Sequence, residues 1–196
     1  AMAGAEVHAN ALAALGLASA QPSWAQPELT SIGREPMHAP LVPYADRDAA
    51  LRGEAEPSPW RLSLDGRWRF RLLASPHRAE AAFVAPDFDD ADWDGLDVPV
   101  SWTLQGHGAP AYTNVLMPFA TEPPAVPAQN PTGFFRRHFA IPSAWRGRRV
   151  TLTIGSAESV VYAWVNGVPV GMGKDSRLPS EFEITPHLVP GENAIA

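Results

Sequence analysis

Residues 160–170 constrain the fold more than any other stretch of this sequence. Two runs rich in β-branched and aromatic residues, 160–165 and 168–170, flank the pair Asn166-Gly167. Both central residues of a two-residue hairpin turn take positive φ angles, which Asn and Gly tolerate best. The sequence therefore predicts an antiparallel β-hairpin here, and with it a domain assembled from antiparallel strands.

Alternation of apolar and polar residues predicts further strands along the chain. The pair Asp65-Gly66 separates residues 62–64 from a run in which apolar side chains at 68, 70 and 72 alternate with arginines. This pattern predicts a second hairpin, turning at Asp65-Gly66. The remaining strands are predicted at residues 96–100, 133–139, 149–154, 182–184 and 193–196, the last of them cut short. Short strands with almost no helical periodicity indicate an all-β fold, an antiparallel β-sandwich of jelly-roll type.

Proline suggests how the chain divides into parts. Its 21 residues are dense between positions 21 and 43 and again between 118 and 131. Because proline interrupts helices and central strands, the first stretch is predicted to be an extended arm on the surface. We predict a poorly ordered leader at 1–20, a Pro-rich arm at 21–59 with a helical turn near 46–52, and the jelly-roll domain at 60–196. The predicted anchors of the arm are Trp24, Leu29, Ile32, Met37 and Tyr44.

Two interpretations of residues 11–20 stay open. An apolar run followed by Ala18-Ser19-Ala20 resembles the core and cleavage site of a secretory signal, but no Lys or Arg precedes it and Glu6 is acidic. The alternative is a short Ala-rich helix. The expected compartment is accordingly the cytoplasm, or the periplasm if a signal peptide is present.

Composition argues against several classes of partner and cofactor. The chain has 15 Lys and Arg against 21 Asp and Glu, a net charge of −6, whereas nucleic-acid binding calls for clustered cations. There is no cysteine, the six histidines are scattered, and no apolar run approaches the roughly 18 residues of a membrane helix. We expect no nucleic-acid partner, no membrane partner, and no metal or cofactor held within this chain.

No catalytic residue is predicted within the chain. Hydrolysis of a glycosidic bond needs two carboxyl groups placed on either side of that bond. The acidic loop between Phe88 and Trp93 is interpreted as solvated, and Glu181 and Glu183, which share one strand face, are expected to form a structural ion pair with Arg177. Trp68 and Trp164 fall on inward positions of strands, so we predict that they are core residues and do not stack on sugars.

Several motifs nevertheless occur together in an order that resembles one family. The motifs are Leu64–Phe70 (L-x-G-x-W-x-F), Val98–Trp102 (V-P-x-x-W), His107–Val115 with its Tyr-Thr-Asn-Val, Asn130–Gly133 and Lys174–Phe182. They resemble the first, sugar-binding domain of the large β-galactosidases of glycoside hydrolase family 2. Residues 26–29 and 34–39 resemble the linker that precedes that domain, so the likeness runs from about Trp24 to the end of the chain.

The resemblance implies one substrate-contacting residue in this chain. In the family, the Asn of the Tyr-Thr-Asn-Val loop hydrogen-bonds sugar hydroxyls, and this role carries over to Asn114. An amide both donates and accepts, which suits a hydroxyl; from composition alone, an Asn-stabilised turn is the competing interpretation. Asp175, Arg177 and Glu181 are expected to brace the domain structurally.

The resemblance also implies what lies outside the chain. The parent protein would be a retaining β-galactosidase acting on terminal β-D-galactose, as in lactose, and its two catalytic Glu residues, Mg and Na would belong to the full-length enzyme. The isolated chain is therefore expected to be inactive. Its expected partners are a galactoside, the downstream domains and further copies in a homo-oligomer. The alternatives are a non-catalytic carbohydrate-binding module with an exposed aromatic platform, or a structural fragment.

Overall fold

The computed structural model describes residues 9–53, 58–110 and 119–196. Within these ranges the chain is built from β-strands, with a six-residue helix at Arg47–Arg52 and a helical turn at residues 9–13. The strands are β1 (Ser31–Ile32), β2 (Gly66–Leu73), β3 (Asp94–Val98), β4 (Thr132–Ala140), β5 (Thr151–Ile154), β6 (Ala157–Val165), β7 (Val168–Asp175), β8 (Ser180–Glu183) and β9 (Glu192–Ile195). Short 3-10 turns lie at Ser23–Ala25, Pro76–Arg78, Ala81–Val84, Trp102–Gln105, Ser143–Trp145 and Thr185–His187.

The strands form two antiparallel sheets, which confirms the all-β sandwich. The larger sheet has the order β1-β7-β6-β9-β4-β2-β3, and β5 pairs with β8 in the smaller one. Every strand pairing is antiparallel. The predicted last strand is β9, which lies between β6 and β4.

The hairpin at Asn166-Gly167 is confirmed. It joins β6 to β7, with Val165 opposite Val168 in the register. Asn166 has a φ of 52° and Gly167 a φ of 80°, as a turn of this type requires. The side-chain amide of Asn166 also donates to the Asn193 side chain at 2.8 Å, which ties the turn to the start of β9.

One hydrophobic core fills the space between the two sheets. Along β4 and β6, odd-numbered residues face this space, and β5 contributes the alternating residues that the sequence predicted to point inward. The buried members are Phe139, Val150, Leu152, Ala163, Val165, Ile184 and Ile195. Period-two alternation places those of them that lie within strands, whereas Val150 and Ile184 directly adjoin β5 and β8.

The opposite face of the large sheet carries a second core. Phe134 and Trp164 point to this side and pack against Phe83 with ring centroids 4.9 and 5.4 Å apart. Residues from the segment predicted as a leader complete the cluster, because Ala11, Leu12 and Leu15 are buried there. The indole N–H of Trp164 donates to the Ala11 carbonyl at 3.0 Å.

The prediction of a hairpin at Asp65-Gly66 is wrong. Residues 61–65 are not a strand, and β2 begins only at Gly66. β3 takes one edge of β2 from Gly66 onward and β4 takes the other from Arg69, so tertiary pairing overrides the local turn signal. The carbonyls that a hairpin partner would have bonded accept instead from Arg137, whose Nη1 lies 2.6 Å from the oxygen of Leu64.

The arm is extended, and it joins the large sheet at its edge. β1 pairs with β7, and the Lys174 N–H donates to the Thr30 carbonyl at 2.9 Å. Ile32 packs against the core as predicted, whereas Met37 is 49% exposed. The helical turn that follows is confirmed, since Asp46 caps it by accepting from the Ala49 N–H at 2.8 Å.

Candidate functional site

Asn114, the site residue that the sequence predicts, lies outside the described residues. It belongs to the connection between β3 and β4, whose described parts are residues 99–110 and 119–131. These parts show how the loop leaves the sheet and how it returns.

Gln105 fastens the start of this loop to the edge strand. Its side-chain oxygen accepts from the Asp97 N–H at 2.8 Å, and its amide nitrogen donates to the Asp97 carbonyl at 2.9 Å and to the Val100 carbonyl at 3.3 Å. The Gln105 amide therefore pairs with the outer edge of β3 as a peptide group of a further strand would. Sequence reasoning missed this residue, since a lone Gln in a loop carries no recognisable pattern.

Aromatic packing fixes the same part of the loop against the sheet. The ring centroids of Trp102 and His107 lie 5.8 and 4.8 Å from that of Phe70, which is fully buried in β2. Trp102 also lies directly over Gly133, where an added Cβ would come within 2.5 Å of the indole. Glycine at position 133 is thus required for this close approach.

The loop returns beside its starting point. The Asn130 N–H donates to the Ala74 carbonyl at 2.9 Å, and the Thr132 hydroxyl donates to the Asn130 carbonyl at 2.9 Å. Both ends of the loop are therefore bound to the region of β2. The described residues at both ends of this loop thus have defined contacts with the sheet.

The segment 174–182 lies elsewhere in the sheet. Four strands separate β7, which ends at Asp175, from β3, after which the loop of Asn114 begins. The N–H groups of Arg177 and Leu178 donate to Asp175 Oδ1 at 3.0 and 3.1 Å and lower the pKa of its carboxyl group. Asp175 therefore organises a turn.

The expected ion pairs of Glu181 and Glu183 form, but with other partners than Arg177. Glu183 bonds Arg149 at 2.9 Å, and this bond lowers the pKa of the Glu183 carboxyl group. Glu181 bonds His38 at 2.8 Å. Both partners are distant in the sequence, which is why proximity along the chain pointed to the wrong cation.

One member of the acidic loop is not a solvated residue. Asp90 is only 17% exposed and accepts from Nε of Arg136 at 2.8 Å, while the Arg136 side chain is 1% exposed. Arg136 also donates to the Phe83 carbonyl, and its guanidinium lies 5.2 Å from the centre of the Phe88 ring. Alternation along the strand predicted at 133–139 puts Arg136 on the same face as Phe134, and this was the available signal that a buried counter-charge exists.

The tryptophans do not form an exposed aromatic platform. All seven are buried or half-buried, and Trp164 is a core residue as predicted. Arg148 lies 3.8 Å above the ring of Trp60, and the Trp145 indole donates to the Pro59 carbonyl at 2.7 Å. Trp24 packs edge-on against His77 at 5.2 Å.

The described residues offer no obvious place for a metal ion. Among residues 9–53, 58–110 and 119–196, no three or more His, Cys, Asp or Glu side chains are grouped so as to hold one. The Mg and Na implied for a longer enzyme are therefore assigned to no described residue, and that implication stays a prediction. In the same part of the chain, no helix has the length and apolar character to cross a membrane.

Comparison with known proteins extends the resemblance to nearly the whole chain. It is 42% identical over 172 residues to a beta-galactosidase of Psychromonas ingrahamii, an alignment that covers 88% of this chain and 16% of the relative. A beta-galactosidase of Priestia megaterium is 38% identical over 185 residues, which is 91% of this chain and 18% of the relative. The chain thus spans less than a fifth of the length of these relatives.

Solved structures share the fold. A beta-glycosidase of Bacteroides vulgatus superposes with a TM-score of 0.50 and 22% identity, covering 68% of this chain and 16% of that one. The model of the family described as "Glycosyl hydrolases family 2, sugar binding domain" matches residues 62–196, which is more than half of the chain. The chain therefore belongs to glycosyl hydrolase family 2, as a sugar binding domain of that family.

Proposed function

We propose that this chain is the N-terminal sugar-binding domain of a longer retaining β-galactosidase, to which it contributes Asn114 as a substrate ligand. The observation that carries the proposal is the set of beta-galactosidases that match it at 37–42% identity over 88–91% of its length. Retaining hydrolysis uses one carboxyl group as nucleophile and another as acid and base. Both carboxyl groups belong to the parent enzyme outside this chain, so the chain alone is inactive.

The base of the β3–β4 loop supports the role of Asn114. The Gln105 clamp and the packing of Trp102 and His107 on Phe70 hold the loop at one end. Residues fixed in this way lose little further conformational entropy when a substrate binds. An Asn side chain displayed on the loop can offer one donor and one acceptor to a galactose hydroxyl without adding charge.

Apolar side chains around the loop support a contact with another part of the enzyme. Val100 is 46% exposed, Leu104 81% and Phe119 45%, and all three belong to the same connection. Apolar patches at a surface mark interaction sites, and we propose that these three side chains contribute to one. In the proposal, the downstream catalytic domain covers this edge and receives Asn114 at its galactose pocket.

Kinetics of the full-length enzyme test the proposal. Asn114→Ala is expected to lower kcat/KM for an aryl β-D-galactoside by about 10- to 100-fold, the effect of leaving one buried hydroxyl without its partner. The melting temperature should change by no more than about 1 °C, because the role proposed for Asn114 is in substrate binding and not in folding. Asn130→Ala, the same change near the return of the loop, is the matched control and should leave kcat/KM unchanged.

Two outcomes would contradict parts of the proposal. Wild-type kinetics in Asn114→Ala would refute the substrate contact. A full-length enzyme that hydrolyses β-D-glucuronides in preference to β-D-galactosides would refute the assigned substrate. Lactose is the natural substrate we propose to compare with the aryl galactoside. Mg and Na dependence and assembly into a homo-oligomer are further properties we propose for that enzyme.

The rival function, a stand-alone carbohydrate-binding module, makes a different prediction. Such a module would bind galactose saturably as the isolated chain, by stacking the sugar on exposed aromatic rings. All seven tryptophans have packing or hydrogen-bonding partners within the domain instead. Calorimetric titration of the chain with galactose separates the two functions, and saturable binding would favour the module.

A further inference from the structure

The arm crosses the edge of the smaller sheet and is tied to it at three points. The Glu35 N–H donates to the Glu181 carbonyl of β8 at 2.8 Å. The Glu35 carboxylate bonds Arg149 at 2.6 Å, just before β5. The third tie is His38, whose Nε2 lies 2.8 Å from Oε2 of Glu181. Of these three ties, only the one through His38 includes a group whose ordinary pKa lies near neutrality.

The two neighbours of the His38 ring are both acceptors. Nδ1 lies 2.6 Å from the carbonyl oxygen of Ala39, and Nε2 faces the Glu181 carboxylate. A carbonyl oxygen and an ionised carboxylate cannot donate a hydrogen bond, and a neutral imidazole carries only one N–H. Both contacts are therefore satisfied together only when the ring is the doubly protonated imidazolium.

The carboxylate that faces the ring is itself held in place. The Thr153 hydroxyl of β5 donates to Oε1 of Glu181 at 3.1 Å, which leaves Oε2 for the histidine. Arg149 is shared between Glu35 and Glu183, at 2.6 and 2.9 Å. The charged groups on the elements around His38 are Arg34 and Glu35 of the arm, Arg149 before β5, and Glu181 and Glu183 of β8.

We propose that His38 is a pH-dependent latch, in which the imidazolium holds residues 35–39 of the arm on the smaller sheet and its deprotonation loosens them. Loss of one proton removes one of the two donors, so either the Ala39 carbonyl or the Glu181 carboxylate loses its partner. Among the side-chain types in these contacts, only histidine has an ordinary pKa between about pH 5.5 and 8.5. His38 is then the group among these that makes arm docking depend on pH.

The direction of the dependence follows from the contacts. The bonds to Ala39 and Glu181 raise the pKa of His38 above its ordinary value of 6.5. A group with a raised pKa in the folded state contributes its full stabilisation below the unfolded pKa and loses it as the pH rises through the folded value. Residues 35–39 are therefore held most firmly in mild acid and less firmly as the solution becomes alkaline.

Hydrogen exchange of the full-length protein, followed by mass spectrometry, tests the latch. The reporter is the peptide spanning residues 33–40, which contains the Glu35 N–H bonded to β8, with uptake corrected for the intrinsic effect of pH on exchange. Exchange should be about two- to fivefold faster at pH 8.5 than at pH 5.5, the range expected for an exposed ion pair. In His38→Gln the corrected rate should be fast at both values and independent of pH.

A matched histidine provides the control. His138 is 42% exposed beside Glu192 at 3.3 Å, and His38 is 41% exposed beside Glu181. His138→Gln should leave exchange of the arm peptide and its pH profile as in the wild type. Glu181→Gln, which removes the negative charge but keeps an acceptor, should shift the transition to lower pH and serves if His38→Gln folds poorly. A wild-type exchange rate that does not change with pH would overturn the latch. A pH dependence that persists in His38→Gln would also overturn it.

Discussion

The buried pair of Arg136 and Asp90 predicts an asymmetric response to mutation. Removing Asp90 leaves a guanidinium that is 1% exposed without its counter-charge. An uncompensated buried charge costs about 3–5 kcal/mol of unfolding free energy. For a chain of this size that lowers Tm by about 6–20 °C, at about 2–4 °C per kcal/mol.

Removing the arginine should cost less. Arg136→Met replaces the charge with an apolar side chain of similar length, and the main loss is the donor to the Phe83 carbonyl. A carbonyl left unsatisfied costs about 1–3 kcal/mol. Asp90 is 17% exposed and keeps Arg69 at 3.7 Å, so its own charge stays compensated.

Urea denaturation of the 196-residue chain, followed by tryptophan fluorescence, measures the difference. We expect Asp90→Ala to be less stable than Arg136→Met, and the double variant to be more stable than Asp90→Ala alone, because it no longer buries an unpaired charge. Asp87→Ala, at an exposed position directly before this loop, is the control and should stay within about 0.5 kcal/mol of the wild type. Equal losses in the two single variants would refute the reasoning.

Two further predictions concern a turn and a titrating carboxylate. Gly167→Ala should destabilise the chain by about 1–2 kcal/mol, because a side chain is introduced at a φ of 80°. Gly155→Ala is the control, because a Cβ there meets open space, and it should leave the free energy of unfolding unchanged in the same urea titration. Equal losses of stability in the two variants would show that a Cβ at position 167 does not strain the turn. Asp175 has a pKa below its ordinary 3.8, so its charge contributes stability above that value and loses it as pH falls through the folded pKa. The urea midpoint of the wild type should therefore exceed that of Asp175→Asn at pH 7 and converge with it as the pH falls through the folded pKa, and a constant gap between the two curves would contradict this assignment.

The arrangement of the strands was predictable wherever local pattern and tertiary pairing agree. The Asn166-Gly167 turn is one case, because its backbone angles suit only a few residue types and its flanking strands pair with each other. At Asp65-Gly66 the same kind of signal failed, because β2 takes its partners from β3 and β4, which are distant in the sequence. Local chemistry allows a turn, whereas the neighbours available in three dimensions decide whether a hairpin forms.

The candidate site shows the same division. The sequence motifs and their order were enough to point to Asn114 and to the family, because they can be recognised without any knowledge of packing. The supports of its loop could not be read in this way: Gln105 bonds the edge of a strand eight residues away, and His107 packs on Phe70 of β2. Nothing in the spacing of these residues distinguishes them from ordinary loop residues.

By itself, the sequence determined most of the strands, the all-β class and the family of this protein, because these depend on alternation, turn chemistry and motif order along the chain. Tertiary structure decided which charges meet: Arg136 with Asp90, Arg149 with Glu35 and Glu183, and His38 with Glu181. Ion pairing depends on separation in space, and the fold brings together residues that are far apart in the chain. Asp90 and Arg136 are 46 positions apart, and His38 and Glu181 are 143 positions apart. Period-two alternation specifies the face on which a side chain lies, but only the packing of the two sheets and the arm specifies the side chain that it meets.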